Sequence, residues 1–93
     1  MFYVYVLRSY SNEARLYLGS TGDLRRRLES HNAGENRATQ GSQWQLVYYE
    51  AYLADQAARQ REQNLKHHGK AKQSLMQRIK KSLNESKLGP PST

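Results

Sequence analysis

The sequence contains no cysteine among its 93 residues. That absence excludes a disulfide framework and a thiolate zinc site, and it is compatible with a reducing compartment. No apolar run approaches the roughly 20 residues that a membrane span requires. A strand-like run begins at Phe2 without the basic and then apolar regions of a secretory signal, so the expected location is the cytoplasm. The length suffices for one domain with its own core and leaves no room for a second catalytic module. Acidic residues are also scarce, with eight Asp and Glu against fifteen Lys and Arg.

The resulting formal charge of +7 makes a polyanion the leading partner class, with nucleic acid ahead of an anionic membrane surface. The distribution says more than the total. Between Gln56 and Asn84 stand Arg59, Arg61, Lys66, Lys70, Lys72, Arg78, Lys80 and Lys81, and the sole acid in that span is Glu62. An isolated carboxylate among cations either pairs with its neighbours or has a chemical task. Lys66, Lys70 and Lys72, with Arg25 and Arg26 earlier in the chain, are the candidates for phosphate contact. No protein partner can be read from the sequence.

Phe2 to Leu7 is β-branched and aromatic throughout, which favours a strand. Alternation puts Phe2, Val4 and Val6 on one face and Tyr3, Tyr5 and Leu7 on the other. Arg15 to Gly19 reads as a second strand, close enough in sequence to form an antiparallel hairpin with the first. If the aliphatic faces coincide, Tyr5 and Tyr17 emerge together on the opposite face. Ser20 or Thr21 is expected to cap a helix running to about His31, with Asp23 in its first turn. Ala33 to Gln43 reads as an ordered, exposed loop, and Trp44 to Tyr52 as a third strand that is either central or an aromatic flank. Asp55 is the expected cap of a helix over Gln56 to His67, and Gly69 separates it from a last helix over Lys70 to Leu83. Leu75, Met76, Ile79 and Leu83 form the core stripe of that helix. The order is ββαβαα, an α+β domain over residues 1–83, followed by a frayed tail over residues 84–93.

Two helices carry charge where apolar residues belong. Leu24, Arg27, Leu28 and His31 recur at i, i+3, i+4 and i+7 and so share one face. In the next helix Glu62 falls between Ala58 and Leu65 on the inward stripe. With Tyr5 and Tyr17 these make a constellation suited to phosphodiester hydrolysis. A carboxylate can hold a hard divalent cation through oxygen. An arginine can donate two parallel hydrogen bonds to phosphate. A tyrosine titrates near ~10 and needs an adjacent base or cation before it can accept a proton, and His31 is one turn from Arg27. The plainer readings are an Arg27–Glu62 structural ion pair, a His31 that complements the helix dipole, and ordinary strand tyrosines. His67 and His68 diverge by ~100° on a helix and make a poor metal pair.

Taken in order, Tyr3-Val4-Tyr5, Tyr17-Leu18-Gly19, Arg27, His31 and Glu62 in Arg-Glu-Gln-Asn-Leu-Lys resemble the GIY-YIG nuclease superfamily, and its small stand-alone bacterial members in particular. The resemblance covers Met1 to Leu83. It implies a three-stranded antiparallel sheet flanked by helices, and divalent-metal-dependent endonuclease activity on DNA, with one Mg²⁺ or Mn²⁺ ion held by Glu62. It further implies Arg27 on the scissile phosphate, Tyr5 as general base supported by His31, and Tyr17 positioning the attacking water. Gly19 fits the tight exit from the strand. DNA repair or processing of irregular DNA is the expected setting, with RNA an open second substrate and a catalytically silent nucleic-acid-binding module the alternative. Two departures stand out. Tyr3 replaces the name-giving glycine, and Ser74 to Gln77 lacks the downstream asparagine of some members.

Overall fold

The computed structural model describes residues 1–87. Its elements in chain order are β1 (Phe2–Ser9), β2 (Leu16–Thr21), α1 (Leu24–Asn32), a 3₁₀ turn (Arg37–Thr39), β3 (Trp44–Tyr52), α2 (Asp55–His67) and α3 (Gly69–Lys87). The strands form one antiparallel sheet in the order β2-β1-β3. This is the expected α+β, ββαβαα architecture. The last strand is an aromatic flank, and β1 holds the centre.

The sheet is buried on both sides, which is why β1 carries apolar residues at consecutive rather than alternate positions. Val4 and Val6 pack against Ala58 and Leu65 of α2 and Leu75 and Ile79 of α3. Tyr5, Leu7 and Trp44 face the other way, against Tyr17, Leu24 and Leu28 under α1. The molecule therefore has three layers: α1, the sheet, and the α2–α3 pair. Leu65 has no exposed surface, and burying a side chain of that kind contributes ~1.5–3 kcal/mol.

Several boundaries differ from the sequence reading for identifiable reasons. Ser20 and Thr21 do not cap α1, because pairing with Val4 and Tyr3 keeps them in the β1–β2 ladder. Asp23 is the cap, its carboxylate accepting from the Arg26 amide at 3.1 Å. Asp55 is likewise not a cap but the first residue of α2, after a cap position at Ala54 that makes no side-chain bond. Asp55 instead pairs with Arg59 one turn on, at 3.1 Å. The break between α2 and α3 lies at His68, in extended conformation, and Gly69 opens α3. α1 stops at Asn32, and Gly34 follows with a φ of +77°, a conformation open to glycine. α3 continues four residues past the predicted Leu83, to Lys87. The rest of the predicted tail lies outside the described residues.

Candidate active site

The site begins with the face of α1 that holds both charge and apolar residues. Leu24 and Leu28 anchor the helix on the sheet, and His31 goes with them into the core, with no exposed surface. Its ring is held at both nitrogens. Tyr5 Oη sits 2.8 Å from Nε2, and Thr39 Oγ1 sits 2.8 Å from Nδ1. Arg27, one turn earlier, donates from Nε to Tyr5 Oη at 3.4 Å. Tyr17 completes the group, with its ring 6.3 Å from that of Tyr5 and 4.7 Å from that of His31. The two tyrosines do emerge on one face of the sheet. Burial lowers the His31 pKa, helped by the Arg27 charge, so the imidazole is neutral at pH 7. Burial also raises the Tyr5 phenol above its ordinary range, against the opposing hydrogen bond from Arg27. Tyr5 at rest is therefore a phenol and not a phenolate.

Glu62 approaches from the opposite layer. Its register on α2, between buried Ala58 and Leu65, aims it at Ser20, which lies opposite Val4 on the α2 side of the sheet. Ser20 Oγ donates to Glu62 Oε1 at 2.5 Å, and Lys66 Nζ donates to Oε2 at 2.6 Å. Burial alone would raise the Glu62 pKa, but the bonds from Lys66 and Ser20 outweigh it, and the carboxyl is ionised well below pH 7. The two halves meet at the end of the edge strand β2. One hollow is lined by Ser20, Thr21, Gly22 and Glu62, and a second by Thr21, Gly22, Asp23 and Arg27. Thr21 and Gly22 are shared walls. Glu62 is close enough to Tyr5 for its charge to be felt at the phenol.

Two of the plainer readings are overturned by the same contacts. Arg27 and Glu62 do not form an ion pair: Glu62 bonds Ser20 and Lys66, while Arg27 bonds Tyr5. His31 is not a cation complementing the end of α1, because burial keeps it neutral. Arg25, Arg26, Lys66, Lys70 and Lys72 are all exposed, on α1, α2 and α3. Lys66 and Lys72 line a third hollow together with Tyr17. His67 bonds Gln63 at 3.0 Å, and His68 lies beyond the end of α2, so they are not brought together as ligands.

Compared with models of protein families, residues 1–78 match the GIY-YIG catalytic domain. The chain belongs to the GIY-YIG family. It is also 36% identical over 76 residues to a UPF0213 protein of Haloquadratum walsbyi (strain DSM 16790 / HBSQ001), an alignment that covers 80% of this chain and 83% of that protein. No solved structure matches it. Membership of the GIY-YIG family indicates a nuclease-type function with a nucleic-acid substrate. No helix among the described residues is long and apolar enough to cross a membrane.

GIY-YIG nucleases generally use a divalent metal. Among the described residues no group of three or more His, Asp or Glu side chains could hold a metal ion. What is present is one ionised carboxylate, Glu62, with the Ser20 hydroxyl beside it and Asp55 lining the same hollow. An all-oxygen donor set with a single direct carboxylate suits a hydrated hard cation, which keeps most of its own water. The residues therefore fit a hard divalent cation better than a softer metal.

Two contacts of the GIY-YIG site escape the sequence pattern. Thr39 lies in a stretch that reads as an exposed loop, yet it is fully buried against His31. Trp44 Nε1 donates to its carbonyl at 2.9 Å, and Arg15 pins the preceding carbonyl of Ala38 at 3.2 Å. Ser20 reads as a helix cap and instead holds the carboxylate. Neither role has a local signal, since each depends on a partner far along the chain.

Proposed function

We propose that this protein is a divalent-metal-dependent endonuclease that hydrolyses DNA phosphodiester bonds. One observation carries the reading: a neutral Tyr5–His31 pair buttressed by Arg27 and an ionised Glu62 reach the same end of β2 from opposite sides of the sheet. A phosphodiester lying across that edge would have a base on one flank and a cation site on the other. Tyr5 accepts a proton from the attacking water as its own phenolic proton passes to His31 Nε2, which avoids forming a free phenolate in a buried site. Arg27 is tied to Tyr5 through Nε, and its guanidinium borders the open hollow where it would meet the scissile phosphate. Tyr17 orients the water. Glu62 would hold the metal, which when bound would supply Lewis-acid stabilisation of developing negative charge. Arg25, Arg26, Lys66, Lys70 and Lys72 contact the phosphate backbone, with no base-reading element among them. DNA repair, or processing of irregular DNA, in the cytoplasm is the setting this chemistry fits.

One contact favours a second reading, a nucleic-acid-binding module without turnover. Lys66 pairs with the carboxylate that would hold a metal. A nicking assay with Mg²⁺ and with Mn²⁺ on plasmid, branched and single-stranded DNA, with an RNA arm, separates the two. The nuclease reading requires cleavage that is abolished by chelator and by Glu62→Ala or Arg27→Ala. Equal product from wild type and both variants would defeat it, whereas salt-dependent binding with no product under either metal would select the module.

A further inference from the structure

We propose that Thr39 is a positioning residue that fixes the tautomer of His31 and thereby makes Nε2 the proton acceptor of Tyr5. Among the described residues, Tyr5 Oη has two hydrogen-bond partners, Arg27 Nε and His31 Nε2. The arginine only donates, so the phenolic proton of this buried tyrosine has one acceptor, the lone pair of Nε2. A neutral imidazole with a bare Nε2 carries its proton on Nδ1, and that proton points at Thr39 Oγ1, 2.8 Å away. Thr39 can accept it because its own hydroxyl proton is directed elsewhere, to the Asn36 carbonyl at 3.3 Å. The chain thus runs one way, from Arg27 through Tyr5, His31 and Thr39 to a backbone oxygen. No group in it is left unsatisfied.

The threonine is held as firmly as the role demands. Asn36 Oδ1 caps the 3₁₀ turn at the Ala38 amide, 2.9 Å away, and Trp44 Nε1 fixes the Thr39 carbonyl. With Thr39 absent, the proton on buried Nδ1 loses its acceptor, and only the Tyr5 phenol still favours that tautomer. In the other tautomer Nε2–H would point at Tyr5, and the phenol would lose its proton acceptor.

The catalytic consequence rests on the nuclease reading above, but the tautomer itself does not, and the experiment separates them. The full-length protein is labelled with ¹⁵N-histidine, and the His31 signals are assigned by comparison with His31→Gln. The expected wild-type spectrum at neutral pH has a protonated Nδ1 and an unprotonated Nε2. Thr39→Ser is expected to keep that pattern. Thr39→Val, which keeps the shape and removes the acceptor, is expected to shift the population to Nε2–H. In cleavage assays Thr39→Val is expected to lose about 10- to 100-fold in kcat with little change in KM for DNA, the scale typical of removing a histidine's orienting partner, and Thr39→Ser to restore it. A wild-type His31 protonated on Nε2, or an unchanged tautomer in folded Thr39→Val, overturns the proposal. If Thr39→Val fails to fold, the wild-type spectrum still decides. If the wild type cleaves nothing while the tautomer is as expected, the nuclease reading fails and the assignment of Thr39 stands.

Discussion

The Tyr5 hydroxyl lies across the face of Gly19, so that a Cβ built on the glycine would fall 2.6 Å from Oη and 2.8 Å from Cζ. The two residues are directly opposed in the β1–β2 ladder. Gly19 is extended backbone with no positive φ, so its requirement is for space and not for conformational freedom. The glycine lets the phenol lean over β2 towards His31 and Arg27. Gly19→Ala must displace a ring that is wedged between sheet and helix, at a cost of ~1–3 kcal/mol. The expected outcome is a lower thermal midpoint together with a loss of cleavage larger than the instability explains, because Oη leaves Nε2. Unchanged midpoint and kcat in Gly19→Ala would show that the close approach is dispensable.

Much of this was legible in the sequence, and the reasons differ by residue. β1 and β3 are dense in β-branched and aromatic residues, and helix periodicity placed Arg27 and His31 on the buried face of α1. Those are local signals. What stayed hidden are the contacts that depend on two distant segments. Thr39 meets His31 only because the 3₁₀ turn folds back under Trp44. Ser20 meets Glu62 only because β2 extends to Thr21 and presents it to α2. Asp55 looks like a cap by type and position, and its pairing with Arg59 shows that an i,i+4 partner can claim a good capping residue.

Glu50 is the clearest case of such a hidden cluster, and it predicts the acid stability. Tyr48 and Tyr52 each donate to its carboxylate at 2.5 Å, and Arg61 donates twice, at 2.9 and 3.0 Å, tying β3 to α2. Burial opposes ionisation, yet the bonds from Arg61, Tyr48 and Tyr52 bring the pKa from 4.5 down to about 2. A carboxylate with a depressed pKa stabilises the fold above its unfolded value and loses that contribution as pH falls. The shift corresponds to ~3 kcal/mol at neutral pH. Glu50→Gln is expected to be less stable than wild type by about that amount at pH 7. The gap should close between pH 4.5 and about 2. Thermal melts of both proteins across that range check it; a gap independent of pH would rule out the linkage.

Proton transfer to His31 sets a limit on the pH profile of cleavage. Burial and the Arg27 charge hold its pKa below 6.5, so the neutral acceptor predominates above that value. The Tyr5 phenol, raised above 10.0 by burial, stays protonated through the physiological range. The acid limb of kcat is therefore expected below pH 6.5, with no alkaline limb from Tyr5 before pH 10. The same depressed histidine makes the fold less stable as pH drops below 6.5, since the unfolded chain takes the proton first. A profile from pH 5 to 9.5 at saturating metal and DNA tests this, and an acid limb centred above pH 6.5 would remove His31 as the acceptor.

Lys66 and Lys70 are both exposed cations in one basic stretch, but Lys66 also faces Glu62. The Lys66 ammonium is 2.6 Å from Glu62 Oε2, so it competes with any cation for that carboxylate. Lys70, at the start of α3, is exposed and is not among the residues lining the hollow at Glu62. Removing a partly exposed counter-ion frees ~0.2–1 kcal/mol of attraction. Lys66→Gln is therefore expected to lower the Mn²⁺ or Mg²⁺ concentration for half-maximal cleavage by about two- to fivefold. Lys70→Gln is expected to leave that concentration unchanged and to reduce the slope of log binding constant against log salt by ~0.9, the signature of one lost phosphate contact on duplex DNA. Metal titrations of cleavage and salt titrations of DNA binding, run on both variants, distinguish the two behaviours. If Lys66→Gln leaves the half-maximal metal concentration unchanged, its pairing with Glu62 gives way on binding DNA, and the carboxylate needs no release from its counter-ion.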